Sequence, residues 1–81
     1  MRVRVTLHGW LKVGVDDPDG LIELTLADGT DVAGVVEALR ETSPMLDPRA
    51  CLATVDGATV PLDRTLKDGE EVGLYPTFSG G

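Results

Sequence analysis

A single change of hydrophobic periodicity constrains the fold of this chain more than any other feature of its sequence. From Val32 to Leu39 the apolar residues fall at i, i+3, i+4 and i+7, which predicts one amphipathic helix. Thr30 or Asp31 can cap its start, and Ser43-Pro44 ends it. On either side of the helix, apolar residues alternate with polar ones, as in half-buried strands. In a chain of 81 residues, this pattern predicts one domain that packs a helix against strands.

Five short runs have the strand pattern, two before the helix and three after it. They are Arg2 to Leu7, Leu21 to Leu26, Cys51 to Val55, Ala58 to Val60 and Glu71 to Tyr75. The first two are predicted to pair antiparallel, since this is the simplest arrangement of neighbouring strands. Asp56-Gly57 separates the third run from the fourth and is a strong signal for a two-residue hairpin turn.

This order of elements predicts an α+β fold of the ubiquitin-like β-grasp type, with a small mixed sheet of about five strands packed on one main helix. We expect the β-grasp domain to span residues 1–76 and a flexible C-terminal Gly-Gly tail to span residues 77–81. Four of the ten glycines belong to Asp-Gly turns, and two form the tail. No role is evident from the sequence for the other four, which are Gly9, Gly14, Gly34 and Gly73.

The charge balance narrows the choice of partners. With 14 acidic and 7 basic side chains, the formal net charge is −7, which argues against binding to nucleic acid or to an anionic membrane. The acidic surface fits either a basic protein partner or plain solubility. No apolar stretch approaches the length of a membrane span, and the first residues lack the apolar core of a signal peptide. We therefore expect a cytoplasmic protein.

Residues that could perform chemistry within the chain are few. Cys51 is expected to be a buried, unreactive thiol in a reducing compartment, and His8 is the single imidazole. They lie on separate segments, so neither a zinc spacing nor a nucleophile with its base is evident. The acidic cluster at residues 16–20 does not form an EF-hand loop, because Val15 and Leu26 stand at the first and last ligand positions. We expect no bound metal, no bound cofactor and no catalysis by this chain alone.

The aromatic residues indicate where a partner could bind. Trp10 and Leu11 follow the first strand and either pack over the sheet edge or form an exposed contact patch. Tyr75 and Phe78, with Pro76 between them, lie where the last predicted strand gives way to the tail. An aromatic side chain in that place is a reasonable anchor for a partner. We therefore expect Tyr75 and Pro76 to contact one.

The last residues of the sequence are Thr77-Phe78-Ser79-Gly80-Gly81. Because glycine has no Cβ, a Gly-Gly segment can lie extended in a channel too narrow for side chains. The carboxylate of Gly81 is then the least hindered acyl group of the chain, and the active site of another protein could activate it. The alternative is a frayed end without a function.

Several segments together resemble the MoaD/ThiS family of β-grasp sulfur carriers. They are Gly29 to Leu39, Thr54 to Val60, Leu66 to Val72 with its run Leu-Lys-Asp-Gly-Glu-Glu-Val, Tyr75-Pro76 and Ser79-Gly80-Gly81. The combination is most similar to the small subunits of molybdopterin synthases, and it covers nearly the whole chain. The segment from His8 to Gly14 departs from the helical segment that members of the molybdopterin branch often have there.

The resemblance implies a function for Gly81. In this family an E1-like enzyme uses ATP to adenylate the C-terminal glycine, which is then converted to a thiocarboxylate. Thr77, Phe78, Ser79 and Gly80 would insert into the large subunit of molybdopterin synthase, or an equivalent sulfur acceptor enzyme, and deliver sulfur to a pterin precursor. The sheet face would dock on the partner. Thiamine thiazole synthesis, another sulfur-transfer route, protein conjugation as a ubiquitin-like modifier and plain non-covalent binding remain the alternatives.

Overall fold

A computed structural model describes residues 1–12, 19–41, 46–47 and 51–77, without the side chains of Trp10 and Lys12. The predictions for Gly14, for most of the acidic cluster, for Ser43-Pro44 and for Phe78 to Gly81 lie outside these residues. The elements are β1 (Arg2–Leu7), a 3-10 turn (Gly9–Lys12), β2 (Leu21–Thr25), α1 (Val32–Leu39), β3 (Cys51–Val55), β4 (Ala58–Val60) and β5 (Glu71–Pro76). Within the described part of the chain, no helix has the length and apolar character needed to cross a bilayer.

The five strands form one mixed sheet in the order β2-β1-β5-β3-β4. β1 pairs antiparallel with β2 and parallel with β5, while β3 pairs antiparallel with both β5 and β4. The predicted element order and the ubiquitin-like β-grasp fold are therefore confirmed. Two strand ends differ from the predicted ones, since β2 ends at Thr25 and β5 continues to Pro76. Pro76 lies opposite Cys51 and extends the pairing of β5 with β3 by one residue.

The hairpin between β3 and β4 has the turn that its sequence predicts. Asp56 and Gly57 have φ angles of 50° and 90°. Positive φ at both central residues is the geometry that matches the right-handed twist of paired strands, and aspartate followed by glycine adopts it readily.

The start of α1 is held by a side-chain cap and by a neighbouring loop. Asp31 is the cap, because its Oδ1 accepts a hydrogen bond of 2.9 Å from the backbone N–H of Gly34. The N–H groups of the first two helical residues donate to two carbonyl oxygens in the connection between β4 and β5, at 3.1 and 2.9 Å. These bonds satisfy amides that a helix leaves unpaired in its first turn. A Cβ at position 34 would lie 2.5 Å from Cγ2 of Thr30, which explains the glycine there.

One face of the sheet packs against α1 and forms the core of the described structure. The buried apolar residues are Val3, Val5, Leu7, Leu11, Val32, Val35, Val36, Leu39, Leu46, Cys51, Ala53, Val55, Leu66, Val72 and Leu74. The strand residues among them alternate along their strands, so their neighbours in sequence point to the opposite face of the sheet. We call that opposite side the open face.

A bidentate ion pair between Arg64 and Glu70 holds the connection between β4 and β5. Two nitrogens of the Arg64 guanidinium donate to the two carboxylate oxygens of Glu70, at 2.8 and 3.0 Å. Glu70 also accepts a hydrogen bond of 2.7 Å from the backbone N–H of Lys67. The bond from Arg64, followed by that from Lys67, holds the pKa of the Glu70 carboxyl below its usual range. The same ion pair raises the pKa of Arg64.

Candidate functional site

The register of the strands brings uncharged residues together on the open face, at the end where β5 leads into the C-terminal segment. One row of the sheet runs through Thr6 of β1 and Gly73 of β5, and the next row contains Tyr75 of β5 beside Leu52 of β3. The complete set, named here the uncharged patch, consists of Thr6, His8, Leu21, Leu52, Thr54, Gly73 and Tyr75. A shallow depression of about 170 Å³ extends from Tyr75 and His8 of this patch to the neighbouring Asp56 and Glu71.

Three members of the uncharged patch are the large apolar side chains that stay exposed among the described residues. Leu21 is 38% exposed, Leu52 is 46% exposed and Tyr75 is 37% exposed. Each of them is out of phase with the buried or partly buried residues of its own strand. In β5, for example, the alternation buries Val72 and Leu74, and Tyr75 therefore points to the open face. Exposed apolar groups in one region of a small domain are typical of an interaction surface.

The other end of the open face is charged. Arg4 lies between Glu23 of β2 and Glu71 of β5, with its Nε and one terminal nitrogen each 3.6 Å from a carboxylate oxygen. All three side chains are more than half exposed, so these pairs contribute little to stability. The open face is thus divided into a charged end at the start of β5 and the uncharged patch at the end of β5.

Two rings and a glycine pack together in the uncharged patch. The imidazole of His8 stacks on the ring of Tyr75, with ring centroids 4.1 Å apart and an angle of 2° between the ring planes. Both rings lie over Gly73, where a Cβ would be 3.2 Å from Cε2 of Tyr75 and 3.7 Å from Nε2 of His8. The same Cβ would lie only 2.6 Å from Oγ1 of Thr54. Gly73 therefore leaves space that the neighbouring side chains fill.

Pro76, where the chain leaves the sheet, packs closely against Gly9. Gly9 has a positive φ of 60°, and a Cβ there would lie 3.1 Å from Cγ of Pro76. Thr77, which follows, is exposed. Of the predicted site residues, the structure thus places Tyr75 on the open face and Pro76 and Thr77 at the start of the tail, while Phe78, Ser79, Gly80 and Gly81 lie outside the described residues.

The two residues with nucleophile or base chemistry lie on opposite faces of the sheet. Cys51 is buried in the core, and burial raises the pKa of its thiol. His8 stacks on Tyr75 on the open face. The prediction of a buried thiol is confirmed, and the two side chains do not form a catalytic pair. In the described ranges, no group of three or more His, Cys, Asp or Glu side chains could hold a metal ion.

Sequence reasoning identified Tyr75 and Pro76 but missed four other residues of this region. Leu11 packs in the core, which confirms one of the two roles predicted for it. The turn that contains Leu11 places His8 and Gly9 against β5. Sequence reasoning predicted no role at this surface for His8, Gly9, Leu21 or Leu52. For the two leucines a signal was present, because each breaks the alternation of its strand with a large apolar side chain at a position that should be polar.

The fold and the site define a class of protein: a ubiquitin-like β-grasp domain with an uncharged patch beside the start of its C-terminal segment. Residues 16–81 match the model of the ThiS family, and the chain therefore belongs to that family. The match confirms the MoaD/ThiS resemblance that the sequence motifs indicated. No protein among the curated sequences matches the chain.

Solved structures of other small proteins share the fold over nearly the full chain. A putative molybdopterin converting factor, subunit 1, from Pyrococcus furiosus has a TM-score of 0.79 at 22% identity, covering 96% of this chain and 99% of that one. SAMP1 from Haloferax volcanii has a TM-score of 0.78 at 19% identity and 100% coverage of both chains. The complex of subunits 1 and 2 of the molybdopterin-converting factor from Helicobacter pylori contains a match with a TM-score of 0.66, 21% identity and 100% coverage of both chains. At these identities the similarity establishes the fold.

Proposed function

We propose that this chain is a sulfur carrier whose Gly81 carboxylate becomes a thiocarboxylate and donates sulfur in molybdopterin biosynthesis. The observation that carries the proposal is the match of residues 16–81 to the ThiS family, a range that includes the Gly80-Gly81 pair. Small carriers of the ThiS/MoaD type are not catalysts themselves. The chain therefore supplies the reacting group, and partners supply the active sites.

Two reactions at Gly81 complete the conversion. In the first, a carboxylate oxygen attacks the α-phosphorus of ATP in an E1-like enzyme, which forms an acyl-adenylate and releases pyrophosphate. In the second, hydrosulfide attacks the acyl carbon, the bond between that carbon and the AMP oxygen breaks, AMP leaves with that carboxylate oxygen, and the thioacid loses its proton. The net change at the chain is the replacement of one oxygen by sulfur. ATP is a substrate of the activating enzyme, and this chain needs no cofactor of its own.

The uncharged patch supports docking to these partners. Leu21, Leu52 and Tyr75 expose apolar surface on the open face, and burial of such surface favours association. The patch lies at the end of β5, so a partner bound there has the tail beside it. The formal charge of −7 favours a partner with a basic surface around the apolar contact.

Two kinds of partner would complete the proposed reaction. The activating partner is an E1-like enzyme, and the acceptor is the large subunit of a molybdopterin synthase or an equivalent enzyme. A protein of this fold occurs in complex with subunit 2 of the molybdopterin-converting factor of Helicobacter pylori, which favours a large-subunit acceptor over a thiazole-forming enzyme. Thr77, Phe78, Ser79 and Gly80 would enter the acceptor's active site, and Gly81 would present the sulfur. All of these encounters would take place in the cytoplasm.

A second candidate is protein conjugation, in which the activated Gly81 carboxyl is transferred to a lysine amine of a target protein. The similarity to the small archaeal modifier protein 1 of Haloferax volcanii favours this candidate. It shares the adenylation step with sulfur transfer, and the two differ in the nucleophile that attacks the acyl-adenylate.

Intact-mass spectrometry distinguishes these outcomes. The purified chain is incubated with ATP, a sulfur source and the E1-like enzyme of the same organism, and the expected product is heavier by one sulfur minus one oxygen. The change should map to Gly81 after proteolysis. A matched control chain with one alanine added after Gly81 should gain no sulfur, because its terminal carboxylate no longer follows the Gly-Gly pair.

Two results would contradict the proposal. If the chain never gains sulfur although the enzyme consumes ATP with a known carrier, it is not a substrate for this chemistry. If the chain accumulates as isopeptide adducts of lysine and no thiocarboxylate forms, conjugation replaces sulfur transfer as its function.

A further inference from the structure

We propose that His8 and Gly9 hold the last two residues of β5, Tyr75 and Pro76, and thereby position the tail in the active site of the activating enzyme. We call these four residues the exit clamp. The inference rests on the proposed function, and its test includes a measurement that does not depend on sulfur chemistry.

The first part of the exit clamp is the pair of stacked rings. β1 and β5 run parallel, and the backbone N–H of His8 donates to the carbonyl oxygen of Leu74 at 3.0 Å, which extends their pairing beyond the end of β1. This bond places the imidazole against the Tyr75 ring at 4.1 Å, with the two planes parallel within 2°. Because Gly73 has no Cβ, the Tyr75 ring can lie close to the β5 backbone beside the imidazole.

The second part is the contact between Gly9 and Pro76. A Cβ at position 9 would approach Cγ and Cδ of Pro76 to 3.1 and 3.4 Å, so the glycine lets the backbone lie against the proline ring. The φ of 60° at Gly9 turns the chain into the 3-10 segment. That turn is anchored in the core, because Leu11 is 3% exposed and its N–H donates to the carbonyl oxygen of His8 at 3.2 Å.

The location of the clamp argues for a role beyond packing. Tyr75 is 37% exposed, and Pro76 is half-buried, so the clamp holds residues at the surface and outside the core. Five residues separate Pro76 from the end of the sequence, and five extended residues reach at most about 17 Å. A fixed starting point therefore limits where Gly81 can lie once a partner has bound the uncharged patch. Such positioning raises the rate of a reaction between bound groups.

The decisive comparison is His8→Ala against His8→Phe. Alanine removes the stacked ring, whereas phenylalanine keeps a flat ring over Tyr75. Thr25→Ala serves as the matched control, because Thr25 is exposed on β2 at the charged end of the open face, opposite Arg2. Thermal unfolding of all three variants checks that each is folded at the assay temperature.

The kinetic measurement is pyrophosphate release by the activating enzyme as a function of carrier concentration. We expect His8→Ala to lower kcat about tenfold, in addition to any change in KM from the loss of one ring of the uncharged patch, since misplacement of a reacting group affects the bound complex. His8→Phe and Thr25→Ala should keep kcat close to that of the unmodified chain. A change in KM alone, an unchanged kcat in His8→Ala, or a failure of His8→Phe to restore kcat would overturn the positioning role.

Amide ¹⁵N relaxation of Thr77 tests the clamp without any partner. We expect the heteronuclear NOE of Thr77 to fall in His8→Ala and to remain unchanged in His8→Phe and Thr25→Ala. If the heteronuclear NOE of Thr77 does not fall in His8→Ala, the exit clamp does not hold the start of the tail, even if kcat is lower in that variant. If the unmodified chain is not adenylated at all, the proposed function fails, and the Thr77 measurement alone decides whether the clamp exists.

Discussion

The two faces of the sheet are built from the same five strands and differ in what their apolar residues do. On the covered face, Val72 and Leu74 are at most 1% exposed and pack in the core beneath α1. On the open face, the next residue along β5, Tyr75, is 37% exposed, and its neighbour in β3, Leu52, is 46% exposed. One strand thus supplies both a core element and a surface element.

The difference separates stability from recognition. Apolar area removed from water stabilises the fold, and the covered face and α1 together bury their apolar side chains against each other. The open face keeps apolar area in contact with water, where it contributes less to folding and is available to a partner. Substitutions on the two faces should therefore affect different measurements.

The largest effect is expected from Leu74→Ala, compared with the same truncation at Leu52. Leu74 is 0% exposed, so its truncation removes buried area and leaves a cavity. We expect a loss of about 2–5 kcal/mol in the free energy of unfolding. Leu52→Ala on the neighbouring strand should lose less than about 1 kcal/mol, because nearly half of that side chain is already in water. Urea denaturation followed by circular dichroism measures both, and similar losses would contradict the division between the faces.

A smaller and pH-dependent effect is expected at the connection between β4 and β5. The Arg64 ion pair lowers the pKa of Glu70 in the folded chain, so between that lowered pKa and the ordinary glutamate value of about 4.3 the Glu70 carboxyl binds more protons in the unfolded chain than in the folded one. Glu70 therefore contributes stability that is complete above that range and is lost as pH falls through the depressed value. Glu70→Gln should be less stable than the unmodified chain near pH 7, and the difference should shrink as the solution is acidified.

Glu23→Gln on the open face is the matched control for this pH dependence. Its carboxylate lies 3.6 Å from Arg4 and is more than half exposed, so solvent screens the pair. We expect Glu23→Gln to have nearly the same free energy of unfolding as the unmodified chain near pH 7. If Glu70→Gln behaves like this control at every pH, the ion pair does not stabilise the connection.

Local sequence patterns were sufficient to predict most of the fold. The alternation in β1 and β5 and the helical spacing from Val32 to Leu39 depend on residues close together in the chain, and the structure has those elements where the patterns place them. The choice between Thr30 and Asp31 as the cap could not be made from the sequence. In the structure the Thr30 hydroxyl donates to the carbonyl oxygen of Ala27 at 2.7 Å, whereas Asp31 Oδ1 accepts from the backbone N–H of Gly34.

The geometry of the uncharged patch was harder to predict from the sequence, because it depends on the register between strands that are distant in the chain. Gly73 had no evident role until β5 was placed between β1 and β3, which brings His8, Tyr75 and Thr54 around it. Gly9 is explained in the same way by Pro76, which is 67 residues further along the chain. The role of Gly81 came from the sequence through the family resemblance, and it stays a prediction.

The smallest effect on stability, together with a large effect on binding, is expected from Leu52→Asn. Leu52 lies on the open face beside Tyr75, so a polar side chain of similar size should change the free energy of unfolding by no more than about 0.5 kcal/mol. If the uncharged patch is the docking surface, the Kd for the activating enzyme should rise about tenfold, since loss of one central apolar contact costs about 1.4 kcal/mol or more. Thr25→Asn, at the charged end of the same face, should leave the Kd unchanged. Isothermal titration calorimetry measures the Kd of both variants for the activating enzyme. Equal Kd values would mean that the enzyme does not bind the uncharged patch.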